Sequence, residues 1–169
     1  MKAKLCNVIS LVNIAEKILG IEDTLEIVFK DKSYFRNSDI SAVFITNGLY
    51  IVFNISFIVV ATIPEILITC LHEVRHAYQY MQVNYRNNLQ FKYKENNDII
   101  KQWMYDFENP KDISEMTRIE YLNRPTEIDA IAFSSYLADK LLNVKQVIPD
   151  EIKDKVKSRI VEIKNSIEI

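Results

Sequence analysis

The chain has 169 residues, 49% hydrophobic and 26% charged, with a net charge of −2 and two cysteines. That length suits one domain with a buried core, and the charge balance excludes the electrostatic grip on nucleic acid that a basic protein has. Cys6 and Cys70 form no CxxC pair and no disulfide framework, which points to a reducing compartment and a cytoplasmic location.

The first twenty residues begin with two lysines, as a secretory leader does. Asn7, Ser10 and Asn13 interrupt the apolar part, however, and no small-residue cleavage site follows. Leu5, Val8, Val12, Ala15 and Leu19 fall at helical spacing and Gly20 is placed to end a helix, so the segment reads as an amphipathic core helix. No apolar stretch is long enough to span a bilayer, and no membrane partner is expected. The only glycines, Gly20 and Gly48, exclude a glycine-rich phosphate loop.

Leu25 to Phe29 reads as a short strand. SAVFITNGLYIVFNIS places Asn47-Gly48 between two β-branched and aromatic runs, which predicts a hairpin. FIVVA after it reads as another strand or a buried connection. Thr62 then opens a T-x-x-E capping box with Glu65, with Pro64 in the first turn, predicting a helix from Ile63 to Val83. The polar stretch from Asn84 to Asn97 reads as a loop, and part of Asp98 to Phe107 as a helix that Asn109-Pro110 breaks. Lys92, Lys94 and Lys101 alternate with Phe91, Tyr93 and Trp103, but Asp98 and several asparagines interrupt them. A solvated loop and helix is expected there, not a single-strand nucleic-acid surface. Pro125 opens a helix to about Leu142. From Pro149 onward, Ile152, Val156, Ile160, Ile163 and Ile167 make one stripe of a last amphipathic helix that packs on its own domain. Helix, small sheet, then helices predicts an α+β fold in a single domain over residues 1–169.

His72-Glu73-Val74-Arg75-His76 carries the chemistry. Two histidines four apart stand on one helix face a turn apart, so their imidazoles converge as zinc requires. Glu73 lies on the adjoining edge, able to reach a metal-activated water without becoming a ligand. Leu67, Cys70, Leu71, Val74, Tyr78 and Met81 gather on the opposite, apolar side. Thr69, Gln79 and Tyr80 share the polar front with the motif. These are the only two histidines in the chain. A tetrahedral zinc needs a third protein ligand, which a carboxylate must supply, since Cys70 faces the apolar back and Cys6 lies in the first helix. Glu127, in the first turn of the helix after Pro125, is the leading candidate. Ala130 and Ser134 on its side are small enough to let two helices close. Asp129 and, more remotely, Glu120 are rivals.

HEVRHAYQ followed by Y-x-x-x-P-x-E-x-D-A-x-x-F (Tyr121 to Phe133) resembles the gluzincin branch of the zincin metallopeptidases. It is similar to short bacterial and phage-borne members related to the HtpX-type and ImmA/IrrE-type proteins, over about Ala42 to Leu141. The resemblance implies a zincin-like fold, a small mixed sheet packed on an active-site helix with additional helices. It implies Zn2+ on His72, His76 and Glu127, Glu73 as general base, and a peptide or protein as substrate. Asp129, with Ala132, repeats the acid-plus-alanine spacing and is the rival third ligand. An edge strand before the active helix aligns extended substrate in that family, and the strand over Leu49 to Phe53 is the expected one. The acid that larger gluzincins carry four residues after the glutamate is replaced here by Ile131. With no further histidine for the oxyanion, a tyrosine or arginine would have to donate, and Tyr121 and Arg124 are candidates, though each is more often a structural or surface residue. A catalytically weak or inactive zincin-like module binding a protein partner is the alternative reading, and a helical domain holding the motif by chance is a third.

Overall fold

In the computed structural model, residues 2–22, 24–35, 39–89, 91–110 and 115–167 are described. Gln90 of the expected loop and the last two residues of the C-terminal segment lie outside them. Helix α1 (Lys2–Leu19) buries Val8, Val12, Ala15 and Leu19 completely and stops at Gly20, whose φ of +68° suits glycine. Buried Glu16 accepts the N–H groups of Thr24 and Leu25 at 3.1 Å, fixing the approach to β1 (Glu26–Lys30).

With β2 (Ala42–Ile45) and β3 (Tyr50–Asn54), β1 forms a three-stranded mixed sheet in the order β1-β3-β2. The first pair is parallel and the β2–β3 hairpin antiparallel. The hairpin expected from Asn47-Gly48 is present, with Gly48 and Leu49 at φ +102° and +53° in the turn. The expectation that the strand over Leu49 to Phe53 receives a substrate backbone is corrected. That strand is central, with β1 on one side and β2 on the other, so its ladder groups are already used. The free edge that packs against the motif helix is β2.

A second correction concerns FIVVA, which is mostly helical: α2 spans Ile55–Val60. Asn54 explains this, because its side chain accepts the Ser56 N–H at 3.0 Å and starts a helix where β3 ends. Six residues are too few to show helical periodicity, and the β-branched composition misleads.

Helix α3 (Ile63–Asn84) starts at the expected box, with the Thr62 N–H donating to Glu65 at 2.7 Å. Leu67, Cys70, Leu71, Val74, Tyr78 and Met81 are all in the core, as the division of the helix into two faces requires. After α3 the chain is less solvated than its polarity suggested. The Tyr93 carbonyl accepts from Tyr78 and Gln82 of α3, both at 2.9 Å, while Phe91 and Trp103 enter the core.

Helix α4 (Asn97–Glu108) covers the expected Asp98 to Phe107. A short helix, α5 (Arg118–Leu122), was not anticipated, although Thr117 and Glu120 form its capping box. Helix α6 (Pro125–Leu142) matches the expected bounds and packs along α3. Its first turn is capped from another helix: Asp106 of α4 accepts the Thr126 N–H at 3.0 Å and the Thr126 hydroxyl at 2.9 Å. Helix α7 (Lys153–Ser166) lies on α6, with Ile152, Val156, Ile163 and Ile167 of the stripe buried. Among the described residues there are seven α-helices and three strands, an α+β arrangement, and no helix is long and apolar enough to cross a membrane.

A buried ion-pair cluster joins α3, the chain before α4, α6 and α7. Asp129 of α6 takes Arg75 Nε at 2.8 Å and Arg159 Nε at 2.7 Å. Glu95 pairs with both guanidiniums from the other side. Burial alone would raise the Asp129 pKa, but Arg75 and then Arg159 outweigh it and hold the carboxyl down at about 2. A carboxyl depressed in the folded state stabilises above its unfolded value of about 3.9. That contribution is lost as pH falls towards 2. Denaturant titrations between pH 5 and pH 2 should therefore show falling wild-type stability. Asp129→Ala, which leaves two buried guanidiniums short of a carboxylate, should cost about 3–5 kcal/mol at pH 7.

Candidate metal centre

The polar front of α3 meets the first turn of α6. His72 and His76 stand one turn apart, and their Nε2 atoms converge to 3.0 Å. Glu127, buried at the start of α6, reaches both: its Oε2 is 3.4 Å from His72 Nε2 and its Oε1 is 3.3 Å from His76 Nε2. Ala130 and Ser134 are fully buried where α6 closes on α3. The Asp106 cap and Pro125 fix the turn from which Glu127 projects.

These donors fit a divalent ion. Ligands about 2.0–2.1 Å from a tetrahedral zinc stand about 3.3 Å from one another, and two imidazoles with one carboxylate suit a zinc site that keeps an open position. The three donor atoms lie within 4.8 Å of one another, and this is the one such group among the described residues. The charges agree. Burial opposes a proton on His76, yet the Glu127 carboxylate overcomes it and lifts the imidazole pKa to about 9. Burial likewise opposes charge on Glu127, and the two imidazoles, His76 foremost, hold its carboxyl well below the usual range. Positive charge is favoured between these side chains.

Glu73, 8% exposed, turns away from that point of convergence. Its Oε2 accepts the backbone N–H of Phe44 in β2 at 2.7 Å, so the edge strand holds the carboxylate in place. Tyr121 of α5 is half-buried beside the site, close to Glu127. Burial first, then the charges of Glu127 and Glu73, keep the phenol protonated and able to donate.

The remaining candidates have other work. Asp129 has both oxygens occupied, two donors on each: Arg75 Nε and Gln79 Nε2 on Oδ2, Arg75 Nη2 and Arg159 Nε on Oδ1. An ionised carboxyl offers about four lone-pair directions, and here all are taken. Glu120 caps α5 through Thr117. Arg124 donates to the Asp106 carbonyl at 2.9 Å and so braces the start of α6. Cys70 is buried with its thiol pKa pushed up by burial, and Cys6 is exposed on α1.

Two clefts flank Glu73 along β2. One, of about 840 Å3, runs past His72 towards the N-terminal end of α3 and is walled by Ala42, Ile68, Thr69 and Leu122. The other, of about 430 Å3, runs past His76 and is walled by Phe44, Tyr80 and Phe107. Tyr121 lines both.

Sequence reasoning assigned no role to Arg75, Glu95 or Arg159 and placed Gln79 only on the polar face. Arg75 lies inside the motif, and a charged residue on the side of α3 that must be buried was a signal that partners existed elsewhere. Glu95 and Arg159 carried none, because nothing local marks a charge in a polar loop or on a solvated helix as buried.

No family model matches the chain, and no curated protein or solved structure shows significant similarity to it.

Zinc that binds only the folded chain must stabilise it. At free zinc about 100-fold above the dissociation constant, melting should shift by the equivalent of about 2.7 kcal/mol, and EDTA should reverse the shift. In Glu127→Ala the same titration should give little or no shift.

Proposed function

We propose that the protein is a zinc-dependent peptidase with a zincin-like fold of the gluzincin type. The observation that carries this reading is the convergence of His72, His76 and Glu127 beside a carboxylate, Glu73, that the edge strand holds off the donor cluster. Three further features support it. The H-E-x-x-H helix lies against the free edge of a small sheet, a second helix supplies the acid, and clefts open on both sides of Glu73.

A divalent ion held by His72, His76 and Glu127 supplies Lewis acidity to a peptide carbonyl and acidity to a water molecule. The chain's own residues do the rest. With the Phe44 N–H on Oε2, Glu73 keeps Oε1 to accept the attacking water's proton and then to return it to the leaving amine. Protonated Tyr121, which lines both clefts, is the donor for the oxygen that becomes negative as the carbonyl carbon turns tetrahedral. Arg124, the other candidate donor, is committed to Asp106. An extended substrate lies along β2, whose outer edge pairs with no other strand among the described residues.

Glu73→Gln keeps an oxygen for the Phe44 N–H but removes the base. It should retain zinc while peptide hydrolysis falls by about 10²–10⁴-fold. Tyr121→Phe should lower kcat by about 10²–10³-fold with a smaller change in KM. Both are read in steady-state assays on a quenched-fluorescent peptide library, and undiminished hydrolysis by Glu73→Gln overturns the mechanism.

A further inference from the structure

We propose that Gln79 is the positioning residue for His76, and that Asp129, clamped by Arg75 and Arg159, dictates how Gln79 is oriented. The proposal rests on the zinc reading above and adds what fixes the second ligand.

Gln79 is fully buried one turn beyond His76. Its Oε1 lies 2.9 Å from His76 Nδ1. Its Nε2 meets two oxygens, the Thr126 carbonyl at 2.9 Å and Asp129 Oδ2 at 2.6 Å. A carbonyl and an ionised carboxylate only accept, so the amide must present its NH2 end to α6 and its oxygen to His76. An amide oxygen also only accepts. His76 Nδ1 must then carry a hydrogen whether the ring is charged or neutral, and when a metal displaces the other proton it is the Nε2 lone pair that faces His72 and Glu127.

The arrangement extends outward without a gap. Asp129 is held as an anion by Arg75 from the motif helix and Arg159 from α7. Its charge polarises the Gln79 amide, and a polarised oxygen makes the imidazole a stronger donor to a metal.

The test compares the full-length wild type with Gln79→Met, a change that nearly conserves volume and removes the acceptor. Zinc affinity is read by competition with a chromogenic chelator, and the His76 ring protons by nitrogen-15 NMR of the zinc-loaded chain. In the wild type a slowly exchanging Nδ1 proton on His76 is expected. In Gln79→Met that proton should exchange freely and zinc affinity should fall about 10–100-fold, read at a temperature where both proteins are fully folded, since the lost bonds to Thr126 and Asp129 also lower the melting temperature. Unaltered affinity and an unaltered Nδ1 signal in Gln79→Met overturn the positioning role and leave the zinc site standing. A wild type that takes up no zinc overturns the zinc reading itself. Should Gln79→Met fail to fold, the wild-type spectrum decides alone, because zinc on Nδ1 with the proton on Nε2 contradicts the proposal.

Discussion

The structure depends on one buried charge cluster, two guanidiniums facing two carboxylates. Arg75 is fully buried, and Asp129, Glu95 and Arg159 are nearly so. Such ions are costly to desolvate, and their mutual attraction offsets the cost only when geometry is good and every polar group is satisfied. Here most are. Asp129 is saturated by four donors, and Glu95 bridges the two arginines. Arg75 Nη1 has no hydrogen-bond partner, but the guanidinium lies against the rings of Tyr78, Phe133 and Trp103, at 4.6 to 5.5 Å from their centroids. Attraction to aromatic faces supplies part of what a hydrogen bond would.

The cluster contributes specificity of arrangement. Apolar stripes let helices rotate and slide by a fraction of a turn at modest cost. A bidentate Arg75–Asp129 pair tolerates neither. Because Arg75 sits between Glu73 and His76, pinning it pins the rotation of the whole motif, and because Asp129 sits two residues after Glu127, pinning it pins the third donor. His72, His76 and Glu127 inherit their geometry from that ion pair. That explains why residues on different helices converge to within about a tetrahedral edge.

Front and back of α3 therefore carry opposite electrostatics. Behind the motif, charges cancel. In front, Glu127 and Glu73 lie beside the two imidazoles, and the Glu127 carboxylate lifts the His76 pKa to about 9, so positive charge is favoured there. The edge strand completes the division of labour. The Phe44 N–H draws the Glu73 carboxylate towards β2. Thus β2 both orients Glu73 and borders the clefts.

Local regularities in the amino-acid order sufficed for much of this. The motif histidines, the apolar back of α3, the Thr62–Glu65 box, the Pro125 start and the Asn47-Gly48 hairpin rest on neighbours within a turn or two, and each is where the order of residues put it. The order of residues favours Glu127 over Asp129 as a third donor, whereas only the packing of α7 and the Glu95 segment shows that Asp129 is occupied by arginines. Which strand is free, the helical turn of α2, and the pairing of Gln79 with His76 were also decided in three dimensions. The reason is physical. Helical and strand periodicity is enforced by bonds between near neighbours, whereas the partner of a buried charge or a sheet edge is chosen by chain segments tens of residues away, and no local pattern records that choice.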